Sequence, residues 1–354
     1  MRRSILALTI CLAGAAHAAP EITPVARGFD APWAVGFLPD GGILITEKAG
    51  ELILLSDGTA TRIGGLPQIR EIGQGGLLDV MVPRDFADSR EVFLSYAKNL
   101  SSGQGTALAR GILAEGATEL TDVRDLFVMT AGSSGGNHFG SRIVEATDGT
   151  LFLTIGERGD ADLAQDLNRH NGSVIRINRD GSVPEDNPFV GQSGVQPEIY
   201  SYGHRNPQGA ALDAQGNLWV DEHGARGGDE INRIKRGANY GWPVISYGRH
   251  YSGARIGEGT AKDGMEQPEF YWDPSIAPSG MAIYSGALND EWKGDFLVGS
   301  LKFDMIARVD ADTMQEVERI QTPETMRVRD VVEGPDGAIY FLSEINGALY
   351  RLEP

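Results

Sequence analysis

His138 is the first residue in this chain with the makings of a catalyst. It stands in Asn137-His138-Phe139-Gly140-Ser141-Arg142, after a small, glycine-rich run from Ala131 to Gly136. A neutral imidazole near its ordinary pKa is the natural general base at neutral pH. Glu157, in Gly156-Glu157-Arg158-Gly159 at the end of the next strand-like run, offers a carboxylate to orient that ring. Each of the two, taken singly, also reads as a polar group capping a loop. Arg205, in Gly203-His204-Arg205-Asn206-Pro207, brings a planar fork of donors suited to carboxylates or quinone oxygens. Lys302 follows an apolar run, and Arg327-Val328-Arg329 places two guanidiniums on one face of an alternating strand. Such a pair in an acidic chain suggests an anionic ligand, or else a charged edge that discourages strand pairing. Gln74, in Gly73-Gln74-Gly75-Gly76, either turns its amide into a central cavity or belongs to a plain turn between units.

The polar, glycine-rich loop from Asp221 to Asp229, with Glu230 just beyond, is the densest of these stretches. Asp221, Glu222, Asp229 and Glu230, with nearby main-chain carbonyls, suit a hard cation such as Ca²⁺ better than zinc. Their spacing is not that of an EF-hand. No HExxH, CxxC, GxSxG, Walker or dinucleotide-binding signature is present, and those enzyme classes lose weight. The single cysteine, Cys11, lies near the start, so the rest of the chain has no thiol chemistry and no disulfide.

The first residues read as an address. Met1-Arg2-Arg3 is a cationic start, Ile5 to Ala16 an apolar core, and Ala16-His17-Ala18 a small-x-small cleavage site. Residues 1–18 are expected to be a cleaved signal peptide. Ile10 before Cys11 does not suit a lipoprotein anchor, so the product is expected to be soluble, periplasmic or secreted. The apolar run is too short to span a bilayer and no later one replaces it, so no stable membrane insertion is expected. The formal charge is −18, and losing Arg2 and Arg3 makes the remainder more negative still. Such a surface repels nucleic acid and anionic lipid, and neither is an expected partner.

Positioning these side chains falls to a repeated element. A polar turn followed by an apolar run ending small or polar recurs at Ile43–Thr46, Val92–Ser95 and Leu151–Thr154. It returns at Leu218–Val220, Phe296–Gly299 and Ile339–Leu342. A further strand often follows, as at Glu51–Leu55, Ser173–Ile177, Ile306–Val309 and Ala348–Leu352. These are hairpin signals, and 47 glycines supply the tight turns. Six such units predict an all-β, six-bladed propeller with four-stranded blades around a central channel, spanning 20–354 as one domain. A pair of β-sandwiches is the competing architecture, but no linker divides the chain. The longest insertions are expected in the fourth and fifth units, and the strand near Ile22–Val25 is expected to close the ring against Leu352.

Taken in order, HFGSR, GERG, YGHRNPQG, EHGARGGDEIN, NYGWPVISYG, WDPSIAPSG and RVRDV resemble the soluble pyrroloquinoline quinone (PQQ)-dependent sugar dehydrogenases, in their aldose sugar dehydrogenase branch. The resemblance covers nearly the whole chain after the leader. It implies a six-bladed propeller that binds PQQ and Ca²⁺ at one end of the channel, oxidises an aldose and passes electrons to an acceptor, a quinone or a cytochrome. By this resemblance His138 takes the proton of the anomeric hydroxyl, Glu157 is its acidic partner, and Arg205 stabilises charge on the quinone oxygen, with Asn206 beside it. Gln74, Lys302, Arg327 and Arg329 would hold the cofactor, with Tyr251 a weaker candidate. The carbonyls of Gly224 and Ala225 would carry the cofactor's Ca²⁺, and Glu230 and Tyr240 a second, structural one. Two departures stand out: Ala225 replaces a usual proline, and Ser141 a usual glycine. A Ca²⁺-dependent lactonase and a non-catalytic propeller binding sugar or protein are the alternative functions.

Overall fold

The computed structural model describes residues 20–354, so the signal-peptide reading and Cys11 lie outside the described residues. After β1 (Glu21–Arg27) come six sheets in chain order. Blade one is β2 (Pro32–Phe37), β3 (Ile43–Glu47), β4 (Glu51–Ser56) and β5 (Thr59–Ile63). Blade two is β6 (Leu77–Met81), β7 (Glu91–Leu100), β8 (Gly103–Ile112) and β9 (Thr121–Val128). Blade three is β10 (Ile143–Glu145), β11 (Leu151–Ile155), β12 (Ser173–Ile177) and β13 (Ile199–Tyr202). Blade four is β14 (Pro207–Leu212), β15 (Leu218–Glu222), β16 (Asp229–Arg233) and β17 (Phe270–Trp272). Blade five is β18 (Pro278–Ile283), β19 (Phe296–Ser300), β20 (Met305–Asp310) and β21 (Gln315–Ile320). Blade six is β22 (Val328–Glu333), β23 (Ile339–Ser343) and β24 (Ala348–Glu353), completed by β1.

The inner strands β2, β6, β10, β14, β18 and β22 touch in turn, and β22 touches β2, so the ring is a six-bladed propeller. Its closure is the expected one: β1 pairs antiparallel with β24, Ile22 opposite Leu352. Each blade packs on two neighbours, so its middle strands bury both faces and read as unbroken apolar runs. β3, β11 and β19 are buried throughout. In β3, Leu44 packs toward blade two while Ile43 and Ile45 pack toward blade six, as strand alternation requires. The outermost strands β1, β5 and β21 are largely exposed. The fourth unit carries a long insertion, residues 234–269, as expected. The fifth has none comparable, and the other long excursion, residues 178–198, is in the third. Among the described residues no helix is long and apolar enough to cross a membrane.

In blades one to three a hydroxyl of the second strand ties blade to blade. Thr46 Oγ1 accepts from Ala34 N and donates to Leu78 O of blade two. Ser95 Oγ accepts from Asp79 N and donates to Ser141 O before blade three, and Thr154 Oγ1 accepts from Arg142 N and donates to Pro207 O of blade four. This is the small polar ending of the repeat. In blade four Asp221 takes the position, its Oδ1 accepting from Gly209 N while its buried Oδ2 has no partner among the described residues. Nearer the axis Arg142 reaches Asp79 of blade two (2.9 Å) and Asp330 of blade six (3.0 Å), locking blades across the ring.

Candidate active site

Two sets of positions open at the same end of the ring, because antiparallel pairing puts the start of each inner strand beside the end of the strand that follows it. Gln74 precedes β6, His138 β10, Arg205 and Asn206 β14, and Arg327 β22. Lys48 follows β3, Glu157 β11, His223 β15, Lys302 β19 and Glu344 β23. Gln74, Asn206, Lys302, Arg327 and Arg329, all expected site residues, line one cavity of about 380 Å³. Lys48, Gln208, His223 and Glu344 join them without having been singled out. Their signal was positional: each of Lys48, His223 and Glu344 is the first residue after the second strand of a blade, the place Glu157 and Lys302 occupy one residue later. Recognising the repeat as a register, beyond its count, would have found them.

His138 and Glu157 are absent from the wall itself, which His138 adjoins through its neighbours Phe139 and Gly140. Its Nδ1 donates to Glu157 Oε2 at 2.5 Å, and its backbone N–H donates to Gln74 Oε1 at 2.7 Å. Glu157 is itself fixed: Gly159 N donates to the same oxygen at 2.9 Å, and Asn171 Nδ2 to the Glu157 carbonyl at 3.0 Å. With Nδ1 engaged, the ring is left with Nε2, which has no partner among the described residues. The loop carrying it is tightly wound, His138 having φ +54°, Gly140 +63° and Ser141 +101°. Arg158, buried, clamps that loop by donating to the carbonyls of Asn137 and Gly135 while lying over the Phe139 ring. Phe139 in turn demands Gly75, where a Cβ would come within 2.4 Å of its ring.

The two arginines converge by a different route from the one strand alternation implies. Arg327 lies outside β22 with φ +49°, and both guanidiniums meet at Glu344, Arg327 Nε at 3.1 Å and Arg329 Nη2 at 2.8 Å. Burial opposes ionisation of Glu344, but the two charges overcome it and hold its carboxyl below the usual range. Two buried or half-buried cations thus share one carboxylate, and Lys48 and Lys302 add two more charges to the wall. His223 completes it. Burial, then the nearby Arg205 charge, pushes its imidazole down to about 3, and its Nε2 donates to Pro278 O at 2.6 Å. It is a neutral, fixed ring.

Arg205 lines a second, much smaller void instead, stacked over Trp242 and donating to His223 O at 3.3 Å. Its Nε is buried without a partner among the described residues, a donor free for an acceptor oxygen. His204 beneath it is buried between Ser201 Oγ (2.9 Å) and Glu222 Oε1 (2.8 Å), and Glu222 Oε2 accepts from Arg205 N. The small void, about 20 Å³, is walled by Glu222, Glu230, Tyr240, Gly224 and Ser246. It is large enough for one water-sized occupant.

The four acids of this loop do not gather on one point. Adjacent residues of a strand face opposite ways, so Asp221 turns to Gly209 while Glu222 faces Glu230 across the β15–β16 pair. Asp229 is spent on loop amides, accepting from Gly224 N and Ala277 N. Among the described residues no group of three acids or histidines is arranged to hold a metal. A cation here would rely on carbonyls, and these do converge: a Cβ on Gly224 would meet the carbonyls of Gly228 and Gly227 at 2.2 and 2.4 Å. Ala225 O accepts from Ser275 Oγ at 3.2 Å. Tyr240 uses its hydroxyl on Arg233 O and Lys235 N, so only its carbonyl could serve an ion. Burial, then Glu222, pushes the Glu230 carboxyl well above its ordinary range. Tyr251 stands apart, 76 % exposed on an outlying hairpin and absent from the cavity wall.

The chain matches the Glucose / Sorbosone dehydrogenase family over residues 29–351. It is 43 % identical to the aldose sugar dehydrogenase YliI of Escherichia coli (strain K12) over 98 % of this chain and 96 % of that protein. Among solved structures, the apo-form of the soluble aldose sugar dehydrogenase from Escherichia coli superposes with a TM-score of 0.92 at 40 % identity, covering 95 % of this chain and 99 % of that one. The PQQ-bound aldose sugar dehydrogenase from Streptomyces coelicolor gives 0.79 at 26 % identity, covering 94 % and 98 %.

Proposed function

The chain belongs to the glucose/sorbosone dehydrogenase family, and on that premise we propose that it is an exported, PQQ- and Ca²⁺-dependent aldose dehydrogenase that oxidises the anomeric C1 hydroxyl of sugars to lactones. The observation that carries this reading is His138, locked through Nδ1 onto Glu157 at the edge of a cavity walled by Lys48, Lys302, Arg327 and Arg329. Four cations around one cavity in a chain of net charge −18 suit a ligand with several carboxylates. A lactonase would leave that cradle idle.

Nε2 of His138 receives the hydroxyl proton of the sugar. Glu157, accepting the Nδ1–H, fixes the tautomer and stabilises the imidazolium that forms. The C1 hydrogen departs with its electron pair, and the C1–O bond becomes the lactone carbonyl. PQQ, when bound, supplies the acceptor for that hydrogen and its two electrons. Arg327, Arg329, Lys302 and Gln74 would hold its acidic groups, with Asn206 alongside, and the unpartnered Nε of Arg205 offers a donor for a carbonyl oxygen taking on charge. Ca²⁺ would rest on the carbonyls of Gly224 and Ala225 and polarise the quinone. A second Ca²⁺ would fill the void beside Glu230 and the Tyr240 carbonyl.

The test is reconstitution of residues 20–354 with PQQ and Ca²⁺, a panel of aldoses and an uncharged dye acceptor. Dye reduction is expected only when every component is present, and His138→Ala should lower kcat by roughly 10²–10⁴-fold. A folded protein that produces neither dye reduction nor a change in the PQQ spectrum overturns the reading. Lactone hydrolysis by the same preparation would replace it.

A further inference from the structure

Three arginines stand abreast beside this site with no carboxylate to answer them. Arg226 follows Ala225 in the loop after β15, and it pairs antiparallel with Arg249, which pairs antiparallel with Arg255. The first pairing is a full backbone exchange, Arg226 N to Arg249 O at 2.9 Å and Arg249 N to Arg226 O at 3.0 Å. Directly opposed residues of antiparallel strands project to the same face, and like charges so placed repel. All three side chains are exposed. Among the described residues none of the three forms an ion pair; Arg255 donates only to the Glu258 carbonyl. His250 and Tyr251, both exposed, lie at the turn between the last two. A row of unanswered cations in a chain with 49 acids against 31 bases is a local reversal of the surface.

The row adjoins the cavity. Gly227 N donates to Ser275 Oγ at 2.8 Å, and Ser275 O accepts from Lys302 Nζ, a cavity residue, at 3.0 Å. Resting on the dehydrogenase reading, we propose that Arg226, Arg249 and Arg255 dock an acidic electron-carrier protein at the mouth of the site. Each aldose oxidised releases two electrons and two protons. A one-electron haem carrier therefore docks twice per sugar, its iron taking one electron each time, and the protons pass to solvent. An acidic carrier is repelled by a surface with so many acids and attracted by this row, which favours one orientation and speeds encounter. Arginine and tyrosine are also the side chains most often central to protein interfaces.

The test uses the Ca²⁺- and PQQ-loaded protein with two acceptors, the uncharged dye and an oxidised acidic c-type cytochrome. Arg249→Glu/Arg255→Glu is expected to cut cytochrome reduction at low salt by roughly tenfold or more, with dye reduction held within about twofold. Arg249→Gln/Arg255→Gln should fall between. On the unmodified protein, cytochrome binding followed by calorimetry should weaken roughly tenfold between low and physiological salt, which tests the proposal even if a variant folds poorly. Dye reduction with cytochrome binding that ignores both salt and charge reversal overturns the docking face alone. No dye reduction at all overturns the functional reading on which it rests.

Discussion

His138 is held by its neighbours more than by its own backbone preference. Its positive φ belongs to a loop that also forces Ser141 to +101°, a conformation that costs an L-residue roughly 1–2 kcal/mol and glycine almost nothing. The Ser141 hydroxyl is moreover buried without a partner among the described residues. Ser141→Gly should therefore raise stability by about 1 kcal/mol, read as a higher urea midpoint at unchanged slope; a lower midpoint would show that the loop needs the side chain. Glu157→Gln keeps the shape but can no longer stabilise an imidazolium. It should depress kcat by roughly 10²-fold while leaving PQQ affinity near normal. Equal losses in both would point to a collapsed loop instead. The sequence named both members of this pair but could not say that Gln74 holds the histidine's backbone, because that contact joins blade two to blade three.

In blades one to three the second strand does two tasks, packing both faces and carrying a hydroxyl that ties to the next blade. Asp221 performs the second badly. Burial first, then the charges of Asp229 and Glu222, raise its carboxyl well above the ordinary range, against the pull of Gly209 N and Arg142. The native chain thus keeps a proton that the unfolded chain sheds near pH 4. Native binds more protons than unfolded above that pH, so this group's contribution to stability declines as pH rises toward its folded pKa. Asp221→Asn, which cannot ionise, should be near neutral for stability at pH 4 and stabilising by roughly 1–3 kcal/mol at pH 8. A variant weaker at both pH values would mean that the charge on Asp221 is needed, through Arg142. The apolar middle strands were legible because both their faces are buried. The outer strands β5, β9 and β21 were not, since their exposed faces carry the same polar residues as the loops.

The ring is closed by little apolar surface: β1 is mostly exposed, with only Ile22 and Ala26 packed against core clusters. What holds it is the ladder to β24, from Glu21–Glu353 to Arg27–Ala348. Deleting residues 20–27 should cost several kcal/mol from that ladder and leave β24 as a bare edge, giving a lower Tm and a tendency to associate. An unchanged Tm would mean the propeller closes by packing alone. The sequence by itself determined the six hairpins, the middle strands and the chemistry available, because apolar runs and turn residues are local signals. It also singled out His138, Glu157 and the paired arginines as one group, through the order of motifs that resembles a known family. Only the tertiary structure decided that Glu344 gathers Arg327 and Arg329, that Lys48 and His223 share their cavity, that Tyr251 stands away from it, and that Arg226 joins Arg249 and Arg255 in one row. The meeting of Lys48, His223 and Lys302 is fixed by packing among blades far apart in the chain, and the others by how strands and loops of one blade fold back on each other, which no local pattern records.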